Sequence, residues 1–590
     1  MSYRAPLADI DSALRYAAGL PQAIADGLLG DLAMDDVEAV LAEAGRFAGE
    51  VIAPLNRVGD KFGTPFKDGA VTTPPGWKDA YEGWRAGGWN SLAAPIEWGG
   101  QALPQIVNAA CIEMWHGASI GFSDGPMLTM GAIDALQAHG SDALKRAYLP
   151  KLVSGEWTGT MQLTEPQAGS DVGALRTRAE RAPDGTYRLK GQKIFITYGE
   201  HDLTDNIVHL VLARLPDAPP GTRGISLFLV PKFLLNADGS PGARNDIHAH
   251  SVEHKLGIHG SPTCTMILGD QGGAVGYLVG AENAGMACMF TMMNRARLAV
   301  GLQGVGVAEC ATQQALAYAR ERRQGRIAGM KATESAPIIV HPDVRRMLLS
   351  MRAMTGAGRA ICYATAIALD RSERGADEAT RKAAHERASL LTPVAKAFST
   401  DIGIEVTSLG VQVHGGMGFI EETGAAQLYR DARIAAIYEG TNGIQAIDLV
   451  ARKLPLSGGA AVAAQIKDLR GIVEAVEASN DPAFGRTPVR LAEALDSLTR
   501  VTDWLLARVE KDNDAALAGA TPYLRLFGLA AGGCLLANEA LGALRRDGEA
   551  ATRLALARFF AENFAVQAGG LERSIVEGAP GVLGAEAALT

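Results

Sequence analysis

The sequence has no surplus of basic residues. Lys and Arg number 56 against 65 Asp and Glu, a net charge of −9 at pH 7. Nucleic-acid surfaces rest on a basic excess, and the one Arg-dense stretch, Arg320 to Arg326, is too short to track a polynucleotide. No nucleic-acid partner is expected. Cysteine is sparse: six copies (Cys111, Cys264, Cys288, Cys310, Cys362, Cys534) lie scattered with no Cys-x-x-Cys pair. That argues against a zinc cluster or a disulfide scaffold and fits a reducing compartment, so no metal site is expected. Met1 to Tyr16 lacks a cationic start followed by an apolar core, so no signal peptide is expected. No uninterrupted apolar run is read as long enough to span a bilayer, so no integral membrane segment is expected. The simplest location is the cytoplasm.

Two common signatures are also missing. "GLQGVGVAE" (Gly301 to Glu309) fails the Gly-x-Gly-x-x-Gly spacing and follows no strand, so it reads as a tightly packed helix of small residues. "VHGGMGF" (Val413 to Phe419) has no Gly-x-Ser-x-Gly elbow to go with it, which disfavours a serine hydrolase. Its glycine pair still lets a ligand approach the backbone closely.

What is present is a soluble-type balance, 47% hydrophobic and 21% charged, over 590 residues. That length exceeds what one core serves. Helical signals run from about Met34 to Gly159. "DDVEAVLAEAGRFAGEVIAPLN" starts on Asp caps and is expected to stop at Pro54, and Ser141 caps a second helix. From Thr160 to Gly280 the period shortens. "GISLFLVPKF", "GTYRLKGQKIFITYG" and "TCTMILGD" read as strands, with Ile225, Leu227 and Leu229 alternating against Ser226, Phe228 and Val230. Helices return from about Glu282 to Lys453. "KLPLSGGAAVAA" reads as a linker, and Leu491, Leu495, Leu498, Leu505 and Val509 mark one face of a later helix. The expected fold class is α+β: mainly α with a central β domain. Residues 1–33 form an N-terminal extension, 34–159 a helical domain, 160–280 the β domain, 281–453 a helical bundle and 465–590 a C-terminal helical extension.

Candidate chemistry sits in a few places. "MQLTEPQAGSDVGALRT" (Met161 to Thr177) places Thr164, Ser170 and Asp171 around Pro166 and Gly169 in a loop; taken alone it is equally a capped turn. "GQKIFITYG" places Phe195 and Thr197 on one strand face. In "RDARIAAIYEGTNGIQ" (Arg430 to Gln445), Glu439 is a lone acid between an apolar run, Ile434 to Tyr438, and a turn-like Gly440 to Gly443.

Together these segments closely resemble the acyl-CoA dehydrogenase family over roughly residues 34–450. The resemblance is carried by "LTEPQAGSD", "GQKIFIT", "EHKLGIHGSPTC", "RLAVGLQGVG", "VQVHGGMGF" and "IYEGTNGIQ", in the family's order. The N-terminal segment and the module after residue 460 resemble its large bacterial branch. That branch includes 3-methylmercaptopropionyl-CoA dehydrogenases of dimethylsulfoniopropionate degradation.

The resemblance implies a helical, β-barrel and helical-bundle architecture and an FAD-dependent enzyme. It would form a trans-2-enoyl-CoA from a short or medium acyl-CoA by α-proton abstraction and β-hydride transfer to flavin N5. Glu439 matches the catalytic base; the family's alternative position, before Arg297, holds Ala296. Removing a weakly acidic α-proton needs a base in a site that excludes water, and apolar surroundings raise a carboxylate's pKa. Gly440 would let the substrate lie against the loop. Met161, Leu163, Thr164, Gly169 and Ser170 match residues lining the flavin and pyrophosphate. Phe195 and Thr197 match those beside the isoalloxazine, with Phe where relatives often carry Trp. Arg322 and Gln324 match a segment reaching a neighbouring subunit's FAD, Gln324 with the spacing one residue short. Gln412, Gly415 and Gly416 match the adenosine-side turn, and Thr441 and Asn442 follow the base toward the cofactor. Ser170, Asn294, Arg297 and Gly440 match the substrate side, and the acyl pocket is expected near Met114, Trp115 and Met127. Electron-transferring flavoprotein is the expected acceptor and a homodimer the expected assembly. The motifs leave open an acyl-CoA oxidase using oxygen, and an inactive acyl-CoA-binding scaffold.

Overall fold

The structure is a computed structural model that describes residues 3–331, 333–545 and 550–590. It divides into two compact units. One comprises Met1–Arg46, Gln105–Gly117 and Arg297–Thr590; the other comprises Phe47–Pro104 and Ala118–Ala296. The fold is mainly helical with a central β region and helical C-terminal segments, an α+β protein.

The β region lies in the second unit. Seven strands run in the spatial order Ile247–Val252, Thr263–Leu268, Tyr187–Thr197, Ala274–Val279, Ile225–Pro231, Ile207–Arg214 and Thr158–Gln162. An eighth, Arg178–Arg181, pairs with both Tyr187–Thr197 and Ile207–Arg214. Leu189, Ile196, Val211, Phe228 and Met266 belong to its core. The alternation read in Ile225–Pro231 does not mark one wet face, because all seven residues are buried. A strand covered on both faces loses the polar half of its pattern.

Pro54 does not end the N-terminal helical path. Met34–Phe47 passes through a π-turn, Ala48–Ile52, into a new helix, Ala53–Phe62, with Pro54 in its first turn. The backbone stays helical throughout, and the π-turn falls just where Pro54, which lacks an N–H, would interrupt a regular helix. Ser141 caps as read, its Oγ accepting from Leu144 N at 3.3 Å.

The first unit is built on long helices: the C-terminal part of Gly285–Glu321, then Pro342–Arg374, Glu378–His414 and Ala520–Ala543. The small residues of "GLQGVGVAE" let backbones meet. A Cβ on Gly301 would lie 2.6 Å from Ala395 O, on Gly304 2.3 Å from Ser399 O, and on Gly306 2.7 Å from Glu113 O. Ala520–Ala543 is long and apolar enough by length and composition to cross a membrane, a feature the sequence reading passed over. Yet 83% of its apolar window is buried inside the protein, as a core helix requires.

Candidate active site

Glu439 sits where two helical pieces of the first unit are joined. A short 3-10 turn, Arg433–Ala436, precedes it, and the helix Asn442–Asp448 follows. The apolar run read in the sequence is only partly withdrawn from water: Ala435 is buried but Ile437 is 47% exposed. Thr441 caps the following helix, its Oγ1 accepting from Ile444 N at 3.3 Å. Glu439 itself is left-handed, with φ +55°, and Gly440 follows at +85°. The left-handed region is costly for a side chain as long as Glu, by about 1–3 kcal/mol, so neighbours must hold it.

Those neighbours are visible. Gln445 Nε2 donates to the carbonyls of Glu439 and Gly440, each at 3.3 Å. Lys396 Nζ donates to Gly440 O and Asn442 Oδ1, each at 2.9 Å. Tyr438 Oη donates to Gln303 Oε1. A Cβ on Gly440 would meet Gln445 Nε2 at 2.5 Å, and its φ of +85° favours glycine there. Burial raises the Glu439 pKa above its ordinary value; Arg297 and Lys396 pull it down and only partly offset this. The result is a carboxylate more basic than usual, with two cations in its field. Arg297 is buried and lies 3.9 Å from Asp448. Asn294 stands exposed on the same helix, Gly285–Glu321.

The second unit gathers the "LTEPQAGSD" and "GQKIFIT" residues. Met161 is the penultimate residue of the strand Thr158–Gln162, and Leu163 and Thr164 lead out of it. Thr164 O accepts from Ile194 N at 2.9 Å, tying the loop to the strand that carries Phe195 and Thr197. The anchor is a pair the sequence reading did not single out. Lys193 Nζ bonds Glu165 Oε1 at 2.8 Å and Leu163 O at 3.0 Å. Glu165 also accepts from Arg176 N, Thr177 N and Thr177 Oγ1. Burial works to raise the Glu165 pKa, but Lys193 and these donors outweigh it and hold it at about 2. No local signal marks Lys193, because the same strand also carries Arg188, Lys190 and Gln192.

Several features fit the FAD that the resemblance implies. Phe195 occupies a bulge at φ +60° and is 59% exposed, an aromatic face held out of the core in a strained backbone. Gly169, Gly415 and Gly416 have open space where a Cβ would stand. Ser170, Arg322, Gln324 and Gln412 are exposed and Thr197, Thr441 and Asn442 partly so. In the first unit, Gln412, Gly415 and Gly416 lie together at the end of Glu378–His414, and Arg322 and Gln324 follow the end of Gly285–Glu321. Met114 lies in the interior. It is fully buried, with its Sδ 3.4 Å from where a Cβ on Gly45 would be, and Trp115 is buried beside it in sequence.

Comparison with known proteins agrees along the chain. Models of the acyl-CoA dehydrogenase N-terminal, middle and C-terminal domains match residues 34–156, 160–270 and 283–454, and an acetyl-CoA dehydrogenase C-terminal-like model matches 462–586. A 3-methylmercaptopropionyl-CoA dehydrogenase of Ruegeria pomeroyi is 49% identical over 573 residues, 96% of this chain and 97% of that one. The broad-specificity linear acyl-CoA dehydrogenase FadE5 of Mycobacterium tuberculosis is 33% identical, over 95% of each chain. Two solved structures share the fold. ACDH-11 of Caenorhabditis elegans, in complex with C11-CoA, superposes with a TM-score of 0.77 at 21% identity, covering 98% of this chain and 95% of that one. A Bacillus anthracis acyl-CoA dehydrogenase complexed with FAD gives 0.75 at 21% identity, covering 95% and 92%. The chain belongs to the acyl-CoA dehydrogenase family, a family of oxidoreductases.

Proposed function

We propose that the protein is an FAD-dependent dehydrogenase that introduces a trans-2,3 double bond into an acyl-CoA, with 3-methylmercaptopropionyl-CoA as its substrate in dimethylsulfoniopropionate degradation. The observation that carries the reaction is Glu439, a carboxylate with a raised pKa on a backbone held in the left-handed region. The relative at 49% identity supports the choice of substrate.

Glu439 takes the α-proton onto a carboxylate oxygen, and its raised basicity suits it to a weakly acidic carbon. Its backbone N–H donates to the thioester carbonyl and stabilises the enolate-like charge as it develops. Arg297 stays charged nearby and limits how far burial protonates the base. Gly440 and the exposed Ser170 and Asn294 face the substrate. Met161, Leu163, Thr164, Gly169, Ser170, Phe195 and Thr197 hold FAD, with Thr441 and Asn442 beyond the base. Arg322 and Gln324 serve the cofactor of a partner in a homodimer, and Gln412, Gly415 and Gly416 form the adenosine-side turn. FAD, when bound, supplies the acceptor for the β-hydride, and electron-transferring flavoprotein collects the electrons.

The test is anaerobic addition of a panel of acyl-CoAs, including 3-methylmercaptopropionyl-CoA, to the purified yellow protein. Bleaching of the flavin band, fastest with 3-methylmercaptopropionyl-CoA, is expected. A colourless protein that cannot be reconstituted with FAD would end the reading. A bleached protein that air restores at catalytic rates would make it an oxidase, and a faster straight-chain substrate would replace the thioether.

A further inference from the structure

Lys396 lies in the middle of the helix Glu378–His414, and its side chain is fully withdrawn from solvent. A buried ammonium is expensive unless something nearby uses it. Its two hydrogen bonds both go to the base loop, to Gly440 O and Asn442 Oδ1. Asn442 in turn donates to Ala397 O at 3.1 Å, Thr400 Oγ1 at 3.0 Å and Asp401 Oδ1 at 2.7 Å. One turn of the long helix therefore grips the residues just after Glu439, and Gln445 grips the carbonyls from the other side. This clamp holds a left-handed Glu.

A neutral donor could make the same two bonds. The charge needs a separate explanation, and the groups that face it supply one: Glu439 and Asp401 as anions, Arg297 as a second cation. Burial favours the protonated, inactive form of Glu439. The two cations oppose that, and Lys396 also bonds the loop itself.

We propose that Lys396 is a positioning residue for the reaction, whose buried ammonium both fixes the base loop and keeps the Glu439 carboxylate in the ionised form that accepts the α-proton. The inference rests on Glu439 being the base, as proposed above. Burial lowers the Lys396 pKa to about 7 against the pull of Glu439 and Asp401. The ammonium is therefore charged below about pH 7, and it lowers the Glu439 pKa only while it carries that charge.

The test compares Lys396→Met, Lys396→Gln and Lys396→Arg with Glu439→Gln, each as FAD-bound holoenzyme. Single-turnover flavin reduction is followed against pH. A second readout needs no oxidation: exchange of the α-protons into D2O from an acyl-CoA carrying sulfur in place of the β-carbon. Removing the cation removes a lowering influence on Glu439, so the acid limb of both profiles should move to higher pH in the Met and Gln variants, by about one unit or more. The Arg variant should keep the wild-type limb. If the Met variant does not hold FAD, the Gln and Arg variants carry the same comparison, since both can still donate to the loop. An unmoved limb in the uncharged variants, with or without a lower rate, would overturn the charge role and leave only a structural lysine. Exchange that persists at the wild-type rate in Glu439→Gln would instead refute the base reading, so the two failures are distinct.

Discussion

Lys193 Nζ and Glu165 Oε1 meet at 2.8 Å with the lysine fully buried and the glutamate side chain 3% exposed. The pair closes the "LTEPQAGSD" loop against the strand that presents Phe195. Lys193→Met should strand a buried carboxylate and cost about 3–5 kcal/mol, the range for breaking one side of a buried pair. The double variant Lys193→Met, Glu165→Leu should recover much of that. Urea unfolding measures both, and FAD content should fall with the single change. Double-variant stability no better than the single would show that the charge pair is not what orders the loop.

The same pair gives a pH window. The Glu165 pKa is held at about 2 in the fold, against an ordinary 4.5. A depressed carboxylate stabilises fully above its unfolded pKa and loses that contribution as pH falls through the folded value. FAD release, read as a rise in flavin fluorescence, should therefore develop between about pH 4.5 and 2. Release already complete at pH 5 would assign the transition to other groups.

Glu539 runs in the opposite direction. It is buried, accepts from Ser12 Oγ at 2.9 Å and lies 3.9 Å from Arg553. Burial outweighs Arg553 and raises its pKa to about 7. A raised carboxylate binds its proton more tightly folded than unfolded, so stability is greatest below the ordinary value of 4.5 and falls as pH rises through 7. Glu539→Gln should match the wild type near pH 4 and exceed it above pH 7, by up to about 3 kcal/mol. Parallel denaturation curves at pH 5 and 8 give the comparison; a constant offset at both would contradict it.

Gly304 tests the helix packing. An exposed helical Gly→Ala gains about 1 kcal/mol. Here the added Cβ would stand 2.3 Å from Ser399 O, on the backbone of a neighbouring helix. Gly304→Ala should instead destabilise by about 1–3 kcal/mol, seen as a lower melting temperature.

These residues also mark what the sequence could show. "LTEPQAGSD", "GQKIFIT" and "IYEGTNGIQ" carry chemistry in contiguous letters, so the family, the fold class and the candidate base were legible without coordinates. The supports were not. Lys193 and Lys396 read as ordinary charges because burial is set by elements far along the chain: Lys193 bonds a residue 28 positions away, Lys396 one 44 away. Ser12 and Glu539 are 527 positions apart, so no local pattern pairs them. Glycine at 440 was legible as a turn, but its φ of +85° and its closeness to Gln445 Nε2 were not.

The sharpest expectation concerns Glu439. Glu439→Gln keeps the size and hydrogen-bonding capacity of the side chain and removes the proton acceptor. It also removes the anion opposite Arg297 and Lys396, so folding should change little: the lost attraction is offset by no longer burying a carboxylate. The variant should hold FAD and bind acyl-CoA. Flavin reduction should slow by at least about 100-fold, the low end of what a positioned base contributes, with binding nearly unchanged because a base acts in the transition state. A purely structural Glu439 predicts the reverse, lost FAD or lost stability with a normal rate per folded site. Stopped-flow reduction normalised to bound FAD separates them. A normalised rate near wild type would mean that another group removes the α-proton, and the assignment of Glu439 would fall.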